Sequence, residues 1–516
     1  MDRRRFLKHS AAATAMPVLP FSISVADAAG SVTPNSDEAG YKALVCVFLS
    51  GGNDSHNTVV PYQGAISSGE YGAYVTARNG LAASSGLALP QSALDTPTQR
   101  LGATGLALHP AMTRLGGLFN SNKLALIANC GPLVDETTLT QYRSGTHPLP
   151  PSLFSHSDMQ QHWQSMIPDQ PADTGWGGRL ADLFRLSAAG RLPVGIGLAR
   201  SGVFMKGDLS VPYSVNPIAY SGTAINPSRP IAQIPSAAVG SAGSMSTQRV
   251  FIDNFMAARS NLIEQQYANA ARNSLEIGEF VRTAMYTQSG NNYTLKSNPN
   301  GALDAVHWSR PDPVSAAPTF VNSLAAQLHS VAAMIAARSA LGTRRQIFFV
   351  ELGGFDNHGD QFGSVSGQKS LLAGSHFDLL KDVDEALAQF YDATVKMGVA
   401  DVVTTMTMSD FGRTMKSNSQ GSDHGWGGHC FVLGGKVKGG KILGAQNAGD
   451  ADTGYFPWPS QFAPRDVGQG RLIPTIAADA YTATLAGWLG ANSAEIASVF
   501  PNLTNFNVQS LDLMNS

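Results

Sequence analysis

Six short, predominantly apolar runs, separated by longer stretches of helical pattern, constrain this chain more than any other feature. They are Ala43–Leu49, Leu124–Asn129, Val194–Leu198, Gln346–Leu352, Val402–Met408 and Cys430–Leu433. A strand with one wet face alternates apolar and polar residues. A run apolar almost throughout must be covered on both faces, as a parallel strand is between two helical layers. Between the runs lie the helix-patterned segments Ala111–Asn120, Gln248–Tyr286, Thr319–Leu341, Phe377–Met397 and Ile476–Leu489. Strand alternating with helix predicts a doubly wound α/β fold with a mostly parallel central sheet.

Composition agrees. At 516 residues the chain buries a core without needing disulfides or metals. With 43% apolar and 14% charged residues it is neither a disordered chain nor a coiled coil. A formal net charge of −2 gives no basic footprint for nucleic acid. No run after the N-terminal region is long enough to span a bilayer. Residues 1–28 read as a twin-arginine signal peptide: Arg3-Arg4-Arg5-Phe6-Leu7-Lys8, an alanine-rich stretch, and the small-x-small site Ala26-Asp27-Ala28. That predicts a bacterial periplasmic or secreted protein whose partner during export is the Tat translocase. This route carries folded proteins, often loaded with a metal. Residues 29–516 read as a single domain with a Ser/Gly/Pro-rich insertion near 200–247 and a helical region near 248–341. Cys46, Cys130 and Cys430 sit in apolar runs, which fits buried thiols; one disulfide with one thiol left over stays open.

In open α/β sheets ligands bind beyond the carboxyl ends of the strands, and there the polar residues concentrate. Ala43–Leu49 leads into Ser50-Gly51-Gly52-Asn53-Asp54-Ser55-His56; Gln346–Leu352 into Gly353-Gly354-Phe355-Asp356-Asn357-His358; Val402–Met408 into Ser409-Asp410-Phe411-Gly412-Arg413. Gly421-Ser422-Asp423-His424-Gly425-Trp426-Gly427-Gly428-His429 precedes the last run. Carboxylates converging on one sheet edge repel unless a cation neutralises them. Mixed Asp/His donors suit Zn, Mn or Fe, and all-oxygen sites suit Mg or Ca. One or two such ions clamp an anionic ester and activate a water or hydroxyl nucleophile. The competing account is that Asp, Asn and Gly only build turns. Gly435–Lys441 has phosphate-loop spacing but ends in Ile442, and reads as a hairpin.

The runs Leu49–Tyr62, Gly353–His358 and Ser409–Gly444, with Leu106–Pro110, Ser155–Gln160, Gly175–Leu180 and Ala483–Phe500, resemble the family called domain of unknown function 1501. The likeness covers nearly all of the chain beyond residue 28. That family is grouped with alkaline phosphatases and sulfatases, so the resemblance implies an alkaline phosphatase-like three-layer α/β sandwich with one or two divalent ions at the strand ends. It implies Asp54, Asp356, His358, Asp410, Asp423, His424 and His429 as metal ligands, with Phe411 standing where the superfamily has His and Asp423-His424 or His429 as substitutes. It implies Ser55 as nucleophile, although many members have glycine there. Arg413 either neutralises an anionic substrate or pairs with Asp410. His109, His147, His156 and His162 read as structural, the exception being a polar loop cluster of Ser155, His156 and Asp158. The expected function is an exported metal-dependent hydrolase of small phosphate or sulfate esters. The rival is a non-catalytic envelope binding or assembly protein that keeps a partial metal site. Family members are often encoded beside the domain of unknown function 1800 family, which makes that family a partner to expect.

Overall fold

The computed structural model describes residues 40–515, apart from 64–68, 80–85, 186–191, 200–201, 211, 218–219, 222–223, 226–261, 290–291, 305–307, 309, 312–317, 321, 445–456 and 458. Residues 1–28, read above as a signal peptide, and most of the 200–247 insertion therefore lie outside the described residues, as does part of the 248–341 region.

A nine-stranded sheet forms the centre. Its strands are β1 (Lys42–Leu49), β2 (Leu124–Gly131), β3 (Gly195–Gly197), β4 (Tyr213–Ser214), β5 (Arg345–Leu352), β6 (Val403–Ser409), β7 (Gly428–Gly434), β8 (Ile442–Leu443) and β9 (Ile476–Ala477). The order is β8-β2-β7-β6-β1-β5-β3-β4, with β9 also on β2. Pairing is parallel except at β7, which runs against both β6 and β2. All six apolar runs are strands of this sheet. The segment after β7 is not a hairpin: β8 pairs with β2, on the side of β2 away from β7.

The uninterrupted apolar runs have the cause inferred from them. Along β1, Ala43, Val45, Val47 and Leu49 enter one core, while Leu44, Cys46 and Phe48 enter the other. On β5, Phe348, Val350 and Leu352 face the first core, and Ile347 and Phe349 the second. The first is covered by α2 (Thr113–Asn120), α5 (Leu262–Met285), α6 (Ser323–Ala336) and α7 (Ser375–Lys396). The second is covered by α4 (Trp176–Phe184) and α8 (Ala478–Leu489), with Trp163 of α3 (His156–Ser165). The result is a three-layer α/β sandwich. Truncating Phe349, which is fully buried, to Ala removes about 3–5 kcal/mol of packing. The three cysteines are free and buried. No helix among the described residues is long and apolar enough to cross a membrane.

Two features of this sheet position the site. Leu49 is level with both Leu352 and Ser409, so β1, β5 and β6 end together and release their loops side by side. The reversed β7 starts where those strands finish, which brings residues 421–427 to the same edge.

Candidate metal centre

The loops fit together closely. Gly51 has φ +116°, and a Cβ there would lie 2.4 Å from the Asp356 amide nitrogen; only glycine lets the β1 and β5 loops touch. Gly51 N donates to Asp410 Oδ1 (3.1 Å), joining the β6 loop. Arg413–Ser417 and Ser422–His424 form an antiparallel hairpin in which Arg413 pairs with His424.

Asp356 is the centre of a cluster of imidazoles. His358 Nε2 is 3.0 Å from its carboxylate, His424 Nε2 3.3 Å and His156 Nε2 3.4 Å. Arg413, itself fully buried, donates from Nη1 to the same carboxylate at 3.0 Å. Burial pushes the Asp356 carboxyl up, and Arg413 more than reverses this, holding it below the usual carboxylate range. The ligand atoms of His156, Asp356 and His424 lie within 4.8 Å of one another. His358 Nε2 lies 2.8 Å from His424 Nε2.

The far side of each ring decides its chemistry. His156 Nδ1 is 2.7 Å from Asp410 Oδ2, His358 Nδ1 is 3.2 Å from Asp423 Oδ1, and His424 Nδ1 is 2.6 Å from the Phe154 carbonyl oxygen. A carbonyl only accepts, so His424 carries its proton on Nδ1; the two carboxylates impose the same tautomer on His156 and His358. In the neutral rings all three Nε2 atoms are then bare lone pairs, and they point at a carboxylate. The Nε2 atom of His156 is buried without a hydrogen-bond partner. Lone pairs 2.8 Å apart repel unless a proton or a cation lies between them. Imidazoles whose Nδ1–H is tied back to carboxylate or carbonyl are the usual supports of metal-ligating histidines. Imidazole nitrogens with a carboxylate oxygen, as His156, His424 and Asp356 offer, are a donor set that suits a divalent ion.

The residues expected from sequence divide into groups. Asp356, His358 and His424 meet. Asp410 and Asp423 stand behind His156 and His358 and present no oxygen to the centre of the cluster. Arg413 pairs with Asp356 rather than Asp410, and all three of its nitrogens donate within the protein, to Ser422 O, Gly51 O and Asp356. Asp54, Ser55 and His429 lie elsewhere. Asp54 caps the turn Ser55–Thr58 and pairs with Arg78. Ser55 Oγ accepts from His429 N at 2.8 Å. His429 Nδ1 accepts from Asn129 N, and burial lowers its pKa to about 3, so the ring is neutral.

His156, one of the residues read as structural but for its polar loop cluster, is the addition. It is the first residue of α3 and reaches Asp410 across 254 positions of sequence. Phe411 packs its ring against His156 and His424, at 4.8 and 4.6 Å between centroids. Asp158 accepts from Ser155 Oγ and serves the start of α3. Arg471, which the sequence did not single out, donates to the His424 carbonyl and lies over the Phe154 ring.

A doubly wound α/β protein with a His/Asp cluster at the carboxyl edge of its sheet is the class that fold and site define. The chain belongs to the family described as protein of unknown function (DUF1501), whose model matches residues 41–487. No curated protein matches the chain.

Proposed function

We propose that the protein is an exported, metal-dependent hydrolase of small phosphate or sulfate esters, working in the periplasm after twin-arginine export and related to the alkaline phosphatase and sulfatase superfamily. The observation that carries the reading is the convergence of three Nε2 lone pairs, each fixed from behind, on one carboxylate. His156, His358, His424 and Asp356 would hold the ion. A divalent ion held there supplies Lewis acidity, which polarises an ester oxygen and lowers the pKa of a water beside it. Asp410 and Asp423 keep the imidazoles in the ligating tautomer, and Arg413 keeps Asp356 ionised and aimed. Access comes from exposure: the Asp356 and His358 side chains are 46% and 42% accessible. Asp356, Asp410 and Asp423 together carry three negative charges, which Arg413 and a divalent ion balance; Arg471 at the margin then favours a substrate of negative charge. The Ser55 hydroxyl is buried and engaged by the His429 amide, which supports water as the nucleophile.

One observation favours the non-catalytic rival. His358 beside His156, Asp356 and His424 would give an ion a fourth protein donor and leave it no open position, as in structural zinc sites. Elemental analysis of natively exported protein, with p-nitrophenyl phosphate and sulfate as substrates, separates the two. The hydrolase reading expects bound metal and turnover that chelation removes, with Ser55→Ala retaining metal and losing no more than about tenfold in rate. Bound metal with no turnover favours the rival. Protein that gains neither metal nor thermal stability from Zn, Mn, Mg or Ca overturns both.

A further inference from the structure

Asp54 follows β1 as Asp356 follows the neighbouring β5, yet its carboxylate is already satisfied. Its side chain and that of Arg78 are both 0% accessible, and they form an ion pair. Asp54 Oδ2 also accepts from Gln361 Nε2, and Oδ1 accepts from His56 N at 3.2 Å. The guanidinium is equally fixed: Nε donates to Asn57 Oδ1 (3.0 Å), and Nη1 to the carbonyls of Thr414 (3.1 Å) and Met415 (3.2 Å). Arg78 comes from α1 (Gly69–Asn79), where it shares the buried stripe with Tyr71 and Tyr74.

The pair is joined to the metal centre through protein atoms alone. Gln361 Oε1 accepts from Ser422 Oγ at 2.7 Å, the Ser422 carbonyl accepts from Arg413 Nε and Nη2, and Arg413 reaches Asp356. We propose that Arg78 takes the place of a second cation, so that the centre binds one divalent ion and Asp54 is not a ligand. The inference rests on the metal-centre reading above. A dication beside Asp54 would have to displace a fully buried guanidinium held by acceptors on two segments, the Asp54–Asn57 turn and Thr414–Met415. Burial alone would push the Asp54 carboxyl up; the adjacent Arg78 charge instead holds it well below the usual carboxylate range. The buried pair thus positions the β1 loop without contributing a ligand.

The test is the count of ions. Wild type and the uncharged double variant Arg78→Met/Asp54→Asn are dialysed against Mn²⁺ or Zn²⁺ and analysed for metal, with circular dichroism to check folding. One ion per chain is expected in both, with affinities within about threefold. Two ions in wild type overturn the inference and leave the metal centre standing. No ion in wild type overturns the metal centre itself, and the one-ion claim with it. A folded double variant that binds tenfold more weakly makes Asp54 a ligand and overturns the inference. Should the double variant fail to fold, Arg78→Lys, which keeps a cation on Asp54, is expected to bind one ion, and a second ion there overturns the inference equally.

Discussion

Asp54 and Asp356 leave the sheet from neighbouring strands at one level, yet their charges are handled in contrary ways. Asp54 is sealed in, paired with an arginine and capped by an amide and a backbone N–H. Asp356 is nearly half exposed and faces the Nε2 atoms of three imidazoles whose Nδ1 atoms are engaged from behind. A buried charge that has met all its partners contributes order; a charge left facing lone pairs invites a cation. The carboxylates behind the rings are intermediate, since Asp410 and Asp423 spend their charge on fixing tautomers.

The contrast is broken most severely by Arg78→Ala. It leaves Asp54 buried and unpaired, and a loss of about 3–5 kcal/mol is expected in denaturant unfolding. The same pair dictates acid behaviour. The Asp54 carboxyl is depressed in the folded protein, so its contribution is present above the unfolded carboxyl range near pH 4 and is lost as pH falls towards the folded value. The Arg78→Met/Asp54→Asn variant should therefore lose less stability than wild type between pH 4 and pH 2.

At the exposed cluster the order of effects reverses. His156→Ala should cost more than about 100-fold in metal affinity, because removing only a supporting carboxylate costs 10–100-fold. Its effect on the stability of the metal-free protein should stay under about 1 kcal/mol. Asp423→Asn should fall in the 10–100-fold range, read by titration with Zn²⁺.

Asp479 sharpens the comparison with the smallest effect. It is as buried as Asp54, but neither carboxyl oxygen has a hydrogen-bond partner, and burial raises its pKa to about 7. A raised carboxyl pKa means that stability is greatest below pH 4 and declines as pH rises towards 7. Asp479→Asn should gain about 1–2 kcal/mol at pH 8 and nothing at pH 4.

The sheet was legible because coverage on both faces leaves an unambiguous mark, an apolar run without alternation, as in Ala43–Leu49. That Asp356, His358 and His424 meet was legible because the loops beyond the strand ends converge on one edge in this architecture. Spacing could not separate ligand from support: Asp410 looks like a ligand in sequence and acts behind His156. His156 itself belongs to a helix start with no periodic signal, and only tertiary structure brings it to Asp410. Arg78 did leave a trace. With Tyr71 and Tyr74 it occupies positions i, i+3 and i+7, and an arginine on the apolar stripe of a helix requires a buried anion.

The central claim is that one divalent ion binds at Asp356 and none at Asp54. Anomalous diffraction from crystals grown with Zn²⁺ tests it most directly. The account predicts a single strong peak bounded by the Nε2 atoms of His156, His358 and His424 and the Asp356 carboxylate, with the Arg78–Asp54 pair intact. No peak among those residues, or a peak on Asp54 with Arg78 displaced, would contradict it.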